Sequence, residues 1–412
     1  MRSLEPGRST SLSPPAAPPF GRAWLSHWKL DPAVTHLNHG TVGATPIRVL
    51  EAQQKIRDRI ERQPSGFLLR ELSEIAVGMP RNELPLLRAA AREVASFLGG
   101  RGEDLVFVDN ATTGMNAVFR SFPFQPGDEL LITDHAYGAI AKAAAFHAGE
   151  RGAVVRTVEL PSTTRGRDAL KDAILASIGD RTRLAVVEHI TSESAIVMPI
   201  QEIVAGCRAR GVATVVDGAH APGAVALDLP AIGADWYVGN LHKWMWTPRS
   251  SGILWSDPRR QEGLHPPVIS WGLGRGFTAE FDWVGTRDPS AYLAAPAAIA
   301  FLHELGPARV RESNHALAWD AARLLSERWG NPLELTEAMV GTMSTVPLPA
   351  GSGSTAEDAA RLRDALLHQD NIEVQLHATK GRLWTRVSTQ IYNDRADIER
   401  LADAVLSRTG SD

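Results

Sequence analysis

A single cysteine, Cys207, occurs in 412 residues, which excludes an internal disulfide and a multi-cysteine metal centre and fits a reducing compartment. Basic residues do not outnumber acidic ones: 43 Lys and Arg against 47 Asp and Glu leave a formal charge of −4. No basic face for nucleic acid is therefore expected. No apolar run approaches the ~20 residues that a bilayer-spanning helix needs, so no membrane partner is expected either. The opening MRSLEPGRSTSLSPPAAPPFG is rich in Pro and Ser and lacks the apolar centre of a secretory signal. It reads as a disordered leader over residues 1–23, with folding beginning near Trp24 and the cytoplasm as the expected location. There is no internal repeat, and no metal site is predicted.

The chain has 44% hydrophobic and 22% charged residues, the balance of a globular protein long enough for more than one core. Short apolar runs recur: LVFVD (105–109), ELLIT (129–133), AVVRTVEL (153–160), RLAVVEH (183–189), VATVVD (212–217), DWYVG (235–239) and SGILW (251–255). Between them lie helical patterns closed by glycine, such as IQEIVAGCRARG. Strands apolar on both faces that alternate with helices predict an α/β fold, a mainly parallel seven-stranded sheet with helices on both faces. The large domain is expected over 36–290, preceded by a segment, 24–35, that packs on the small domain. PSAYLAAPAAIAFLHELG begins a connecting helix, and 291–412 completes a smaller C-terminal α+β domain.

Ligands in such sheets gather where strands end and helices begin, and four of these ends are polar. DNATTGMNAVF (109–119) offers Thr112 or Thr113 at a helix start, either as ordinary caps or as a phosphate cradle. TDHAYGA (133–139) offers the flat rings of His135 and Tyr137. VVDGAHAPG (215–223) closes a strand with Asp217, and His220 follows three residues later. NLHKWMW (240–246) places Lys243 beside Asn240, His242 and two tryptophans. An isolated lysine is ordinarily a solvated surface residue. Among Trp236, Tyr237, Trp244 and Trp246, desolvation would favour its neutral amine, the form that condenses with an aldehyde. A cofactor with an aldehyde, a phosphate, a pyridine nitrogen and a flat ring uses all four ends. Pyridoxal 5'-phosphate has those features.

DGAH, NLHKW and WVGTRDPSAY (283–292), in that order and spacing, resemble the class V aminotransferase family of fold-type I pyridoxal phosphate enzymes, and most of all its isopenicillin N epimerase-like branch. The resemblance runs from HLNHGTVGATP (36–46) to LWTRVSTQIYN (383–393). It implies that Lys243 forms the Schiff base, Asp217 holds the ring-nitrogen proton and His220 approaches the ring hydroxyl. It assigns Thr112, Thr113, Asn240 and His242 to the phosphate. Thr286 would reach the phosphate of the second subunit of a homodimer whose active sites lie near the subunit interface. The stacking ring falls on His135 or on Tyr137. Arg386 would fork onto the substrate carboxylate with Asn38 beside it, and His39, Tyr137 or another residue would serve the second face of the substrate carbon.

The resemblance implies a small-molecule amino-acid substrate and chemistry at its Cα. Epimerisation ranks first, C–S lyase or other β-elimination and substitution second, transamination third. Cysteine desulfurases need a nucleophilic cysteine late in the chain, and Cys207 precedes the lysine, so that activity is not expected. Trp271, Phe277, Phe281 and Trp283 in SWGLGRGFTAEFDW form either an aromatic wall near the site or a loop tucked onto the core. A nucleotide-binding protein is the remote alternative. It would need GxGxxG after an early strand, and GLGRGF (272–277) has neither that spacing nor that place.

Overall fold

A computed structural model describes residues 19–73 and 84–409. Residues 1–18 of the expected leader lie outside the described residues. Its last part is ordered: a 3-10 helix spans Arg22–His27, Gly21 N–H donates to the Ile391 carbonyl and Arg22 pairs with Asp397. The fold therefore begins slightly before Trp24, because these contacts anchor the chain on the C-terminal part of the molecule.

After β1 (Thr35–His36) come β2 (Leu105–Val108), β3 (Glu129–Thr133), β4 (Val154–Val158), β5 (Thr182–Glu188), β6 (Ala213–Gly218), β7 (Trp236–Asn240) and β8 (Gly252–Ser256). The last four strands are β9 (Met343–Pro347), β10 (Ile372–Glu373), β11 (Gln375–Thr379) and β12 (Arg382–Ser388). All seven apolar runs read from the sequence form one sheet in the order β2-β8-β7-β6-β5-β3-β4. Only β8 runs against its neighbours β2 and β7; the remaining pairs are parallel.

Alternate residues of each strand enter different cores. Ala185 and Val187 of β5 join Val216, Tyr237 and Ile253 on one face. Leu184 and Val186 join Val215, Val238 and Leu254 on the other. A strand with water on one face would show polar alternation; the inner strands are covered on both faces, which is why their runs are apolar, whereas the edge strand β4, VVRTV, is largely exposed. The parallel register of β5, β6 and β7 then brings Glu188, Asp217 and Asn240 to one edge of the sheet.

A smaller core forms around the antiparallel sheet β11-β12-β9, where Val346, Leu376, Leu383 and Val387 pack on Leu325, Leu366 and Leu401. β1 pairs with β10, so Leu37 belongs to this core. The connecting pattern at 289–306 is two helices, Ser290–Leu293 and Ala295–Leu305, with Pro296 in the first turn of the second. Proline is tolerated at a helix start but not in its interior, so the long helix expected there is divided. Among the described residues, no helix is long and apolar enough to cross a membrane.

Candidate active site

The ends of β5, β6 and β7, the start of helix Ala111–Ser121 and β12 surround a cleft of about 520 Å³. Lys243 lies just beyond β7, 8% exposed, with Nζ 3.1 Å from His220 Nε2. The surrounding tryptophans act from outside the cleft. Trp244 packs on His39, and Trp246, with a left-handed φ of 60°, packs on Trp28 and Phe301. They anchor the loop in the core, so that the lysine stem is buried and the amine emerges among polar groups. Burial, and then the charge of Arg386, lower the Lys243 pKa to about 7 against the pull of Asp217. An amine with that pKa is substantially neutral at physiological pH.

His220 is also held neutral, by burial first and then by Lys243; its Nδ1 is buried without a hydrogen-bond partner. Asp217 accepts the Ala219 N–H at 2.9 Å. Its pKa is raised by burial, an effect opposed by that hydrogen bond and by Lys243. One strand away, Glu188 lines the same cleft and was not singled out from the sequence.

At the other end, the cap of helix Ala111–Ser121 is neither threonine but Asn110, whose side chain accepts from Thr113 N–H at 3.0 Å. Asn240 accepts from Ala111 N–H at 2.8 Å and so ties β7 to the helix start. Thr112 faces the cleft, whereas the Thr113 hydroxyl turns back to Asn110. His242 contacts the Ser251 carbonyl through Nδ1 at 3.1 Å, and burial lowers its pKa to about 4, so the neutral ring donates that bond. Arg249, also overlooked in the sequence, stands at the rim with one hydrogen bond, to the Gly43 carbonyl.

Arg386, on β12, brings its guanidinium to the cleft while 4% exposed. It donates to the Ser192 carbonyl at 2.6 Å and the Thr41 hydroxyl at 2.7 Å, with Asn38 Oδ1 at 3.5 Å. Burial lowers its pKa to about 10, leaving it charged at neutral pH. Asn38 in turn donates to Glu373 at 2.7 Å, which fixes it as a support of the arginine.

Three of the residues named from the sequence lie outside this chain's own cleft, as is expected of Thr286. His39 is fully buried, with Nδ1 2.9 Å from the Tyr392 hydroxyl and Nε2 3.0 Å from the Lys243 carbonyl. Neither nitrogen is left for a substrate, so its role is to fix the lysine's backbone. His135 is turned to Ser194, 2.6 Å from Nδ1, while Tyr137, half exposed, lines the cleft. Thr286 is exposed outside its own chain's cleft, on a loop held by Arg287 and Tyr292 to Asp109. Phe277, Phe281 and Trp283 are buried in the core; of that stretch only Trp271, 80% exposed, resembles a free aromatic wall. Cys207 is buried in helix Ile200–Arg208, and burial raises its pKa to about 11. A thiol so placed is a poor nucleophile.

These residues fit pyridoxal phosphate: a neutral lysine amine, a buried aspartate, and a helix start lined by small polar side chains. His220 Nδ1 and Glu188 Oε1, both buried without partners among the described residues, add polar atoms that a ligand can engage. The model of the family "Aminotransferase class-V" matches residues 85–401. An isopenicillin N epimerase of Amycolatopsis lactamdurans is 36% identical, with 91% of this chain and 95% of the relative covered. An L-cysteine desulfhydrase of Arabidopsis thaliana is 31% identical, with 90% and 87% covered. Among solved structures, a cysteine desulfurase from Thermococcus onnurineus NA1 shares the fold, with a TM-score of 0.76 at 17% identity over 96% of this chain and 99% of the other. The chain belongs to the class V aminotransferase family and is a pyridoxal-phosphate-dependent enzyme.

Proposed function

We propose that this enzyme removes the α-proton of an amino acid or amino-acid derivative and returns it to the opposite face, as an isopenicillin N epimerase-like epimerase. The observation that carries the reading is the Lys243 amine, neutral near pH 7, set between Asp217, His220 and Arg386. Bound pyridoxal phosphate supplies an electron sink conjugated to Cα. Arg386 orients the substrate by pairing with its carboxylate, and Asn38 and Thr41 hold the guanidinium in place. Lys243 takes the α-proton. Neutral His220 accepts a hydrogen bond from the amine and steers its lone pair. Asp217 keeps a proton on the ring nitrogen, and that charge stabilises electron density arriving from Cα.

His39 is fully engaged, and Tyr137, which lines the cleft, is assigned the second proton position. Asn240 and Thr112 bind the phosphate, and His242, whose neutral ring spends its one N–H on the Ser251 carbonyl, donates to it only when protonated. Thr286 serves the cleft of a second copy, which makes the working unit a homodimer; its exposure on its own chain supports this.

The desulfhydrase relative supports a second reading, β-elimination from a cysteine-like substrate, because it begins with the same proton removal. Incubating a panel of amino acids, cysteine conjugates and small peptides in D2O tests both. Deuterium at Cα in both configurations supports epimerisation. Release of pyruvate, ammonia and a thiol supports elimination. A substrate that loses its carboxylate with its Cα–H bond intact overturns both.

A further inference from the structure

Two carboxyl groups lie side by side on the cleft floor, and the account above uses one. Glu188 ends β5 and Asp217 lies near the end of β6, in register on adjacent parallel strands. Such strands are ~4.8 Å apart. The two side chains are 3% and 5% exposed. Glu188 Oε2 accepts a hydrogen bond from the Thr133 hydroxyl at 2.9 Å. Its Oε1 is buried with no partner among the described residues, although the side chain lines the cleft.

The charged groups that face Glu188 are Asp217 from β6 and Asp134 from the turn after β3, both acidic. The nearby cation, Lys243, favours ionised Asp217 instead. Two carboxylates cannot both ionise cheaply in one buried site, so one keeps its proton. We propose that Glu188 is a ligand-binding residue held as a neutral carboxylic acid, whose O–H is donated to an acceptor oxygen of the bound cofactor, leaving Asp217 as the pair's anion. Burial, and then Asp217, raise its pKa to about 7, in keeping with this assignment. A carboxyl kept neutral is a strong donor at a pH where an ordinary one is only an acceptor.

The donor's destination rests on the reading of the cleft as a pyridoxal phosphate site; its protonation does not. Infrared spectra of the apoprotein at about pH 6 should contain a carboxylic-acid carbonyl band that is missing from E188Q; in D217N, which removes a charge that helps to hold the proton, the band should persist with its midpoint moved to lower pH. In direct binding titrations with pyridoxal phosphate, E188A should weaken affinity at least ~10-fold, and E188Q, a neutral donor of similar shape, should recover most of the loss. Circular dichroism checks that each variant is folded. A band that survives in E188Q, or that is missing from D217N even at about pH 5, overturns the protonation. E188Q as weak as E188A, or E188A as tight as the parent, overturns the donor role. Failure of the parent to bind pyridoxal phosphate overturns the reading of the cleft, while the infrared result still decides where the proton resides.

Discussion

Trace acetylation of the apoprotein with acetic anhydride, scored against an internal amine standard, reads the Lys243 amine without turnover. The reagent is small enough for the cleft and attacks only the neutral amine, so the rate at Lys243 follows the neutral fraction. With a pKa of about 7, roughly half of the amine is neutral at pH 7, against about one part in 3,000 for an amine at 10.5. The rate should rise with pH and level off above about 7. Peptide mass spectrometry resolves this position from the surface lysines. Two substitutions fix the sign of the causes. Arg386→Met removes a cation that lowers the pKa and should move the midpoint up; Asp217→Asn removes an anion that raises it and should move the midpoint down. The same shift affects stability. Protonated Lys243 opposes folding below pH 7, and that cost is relieved as pH rises from about 7 towards 10.5, because the unfolded chain binds more protons there. A rate at Lys243 that climbs without a plateau to pH 10, or midpoints that move the other way, would refute the reasoning.

Arg386→Lys keeps a charge but loses the fork, so KM for an active substrate should rise ~10-fold or more with cofactor affinity unchanged; an unaltered KM would place the carboxylate elsewhere. Asp217→Asn should retain cofactor but lower kcat by ~100-fold or more, and a rate within a few-fold of the parent would remove Asp217 from the mechanism. Gly43 has a φ of 69°, and a Cβ there would lie 1.8 Å from the His242 carbonyl oxygen, with Lys243 Cα at 3.1 Å. Gly43→Ala should therefore destabilise the protein by at least ~1–3 kcal/mol in urea unfolding and weaken cofactor binding; wild-type values in both would show that the lysine loop is not held against this turn.

The sheet was legible because its strands are apolar on both faces, a pattern that survives in a bare sequence. Lys243, Asp217, His220 and Arg386 were legible as polar residues at strand ends or in a specific motif. Glu188 carried the same signal as Asp217, a carboxylate closing an apolar strand, and was passed over because no motif drew attention to it. His39 and His135 point away from the cleft for a different reason. Neighbouring loop residues point in directions set by the chain's path, and the partners that claim these rings, Tyr392 and Ser194, lie far along the sequence. The tryptophans beside Lys243 likewise read as the amine's immediate surroundings, but the left-handed turn at Trp246 leads into the core. The break at Pro296 was visible as a proline, yet the apolar pattern on either side of it reads as continuous.

The central claim is that Lys243 is the residue that engages pyridoxal phosphate. Its most direct test is to load the purified protein with the cofactor, reduce it with borohydride, digest it and map the pyridoxyl mass by tandem spectrometry. The account predicts a yellow protein, bleached by reduction, with the label on Lys243 and no stoichiometric label in Lys243→Ala. Stoichiometric label on a different lysine, or a protein that takes up no cofactor, would contradict it.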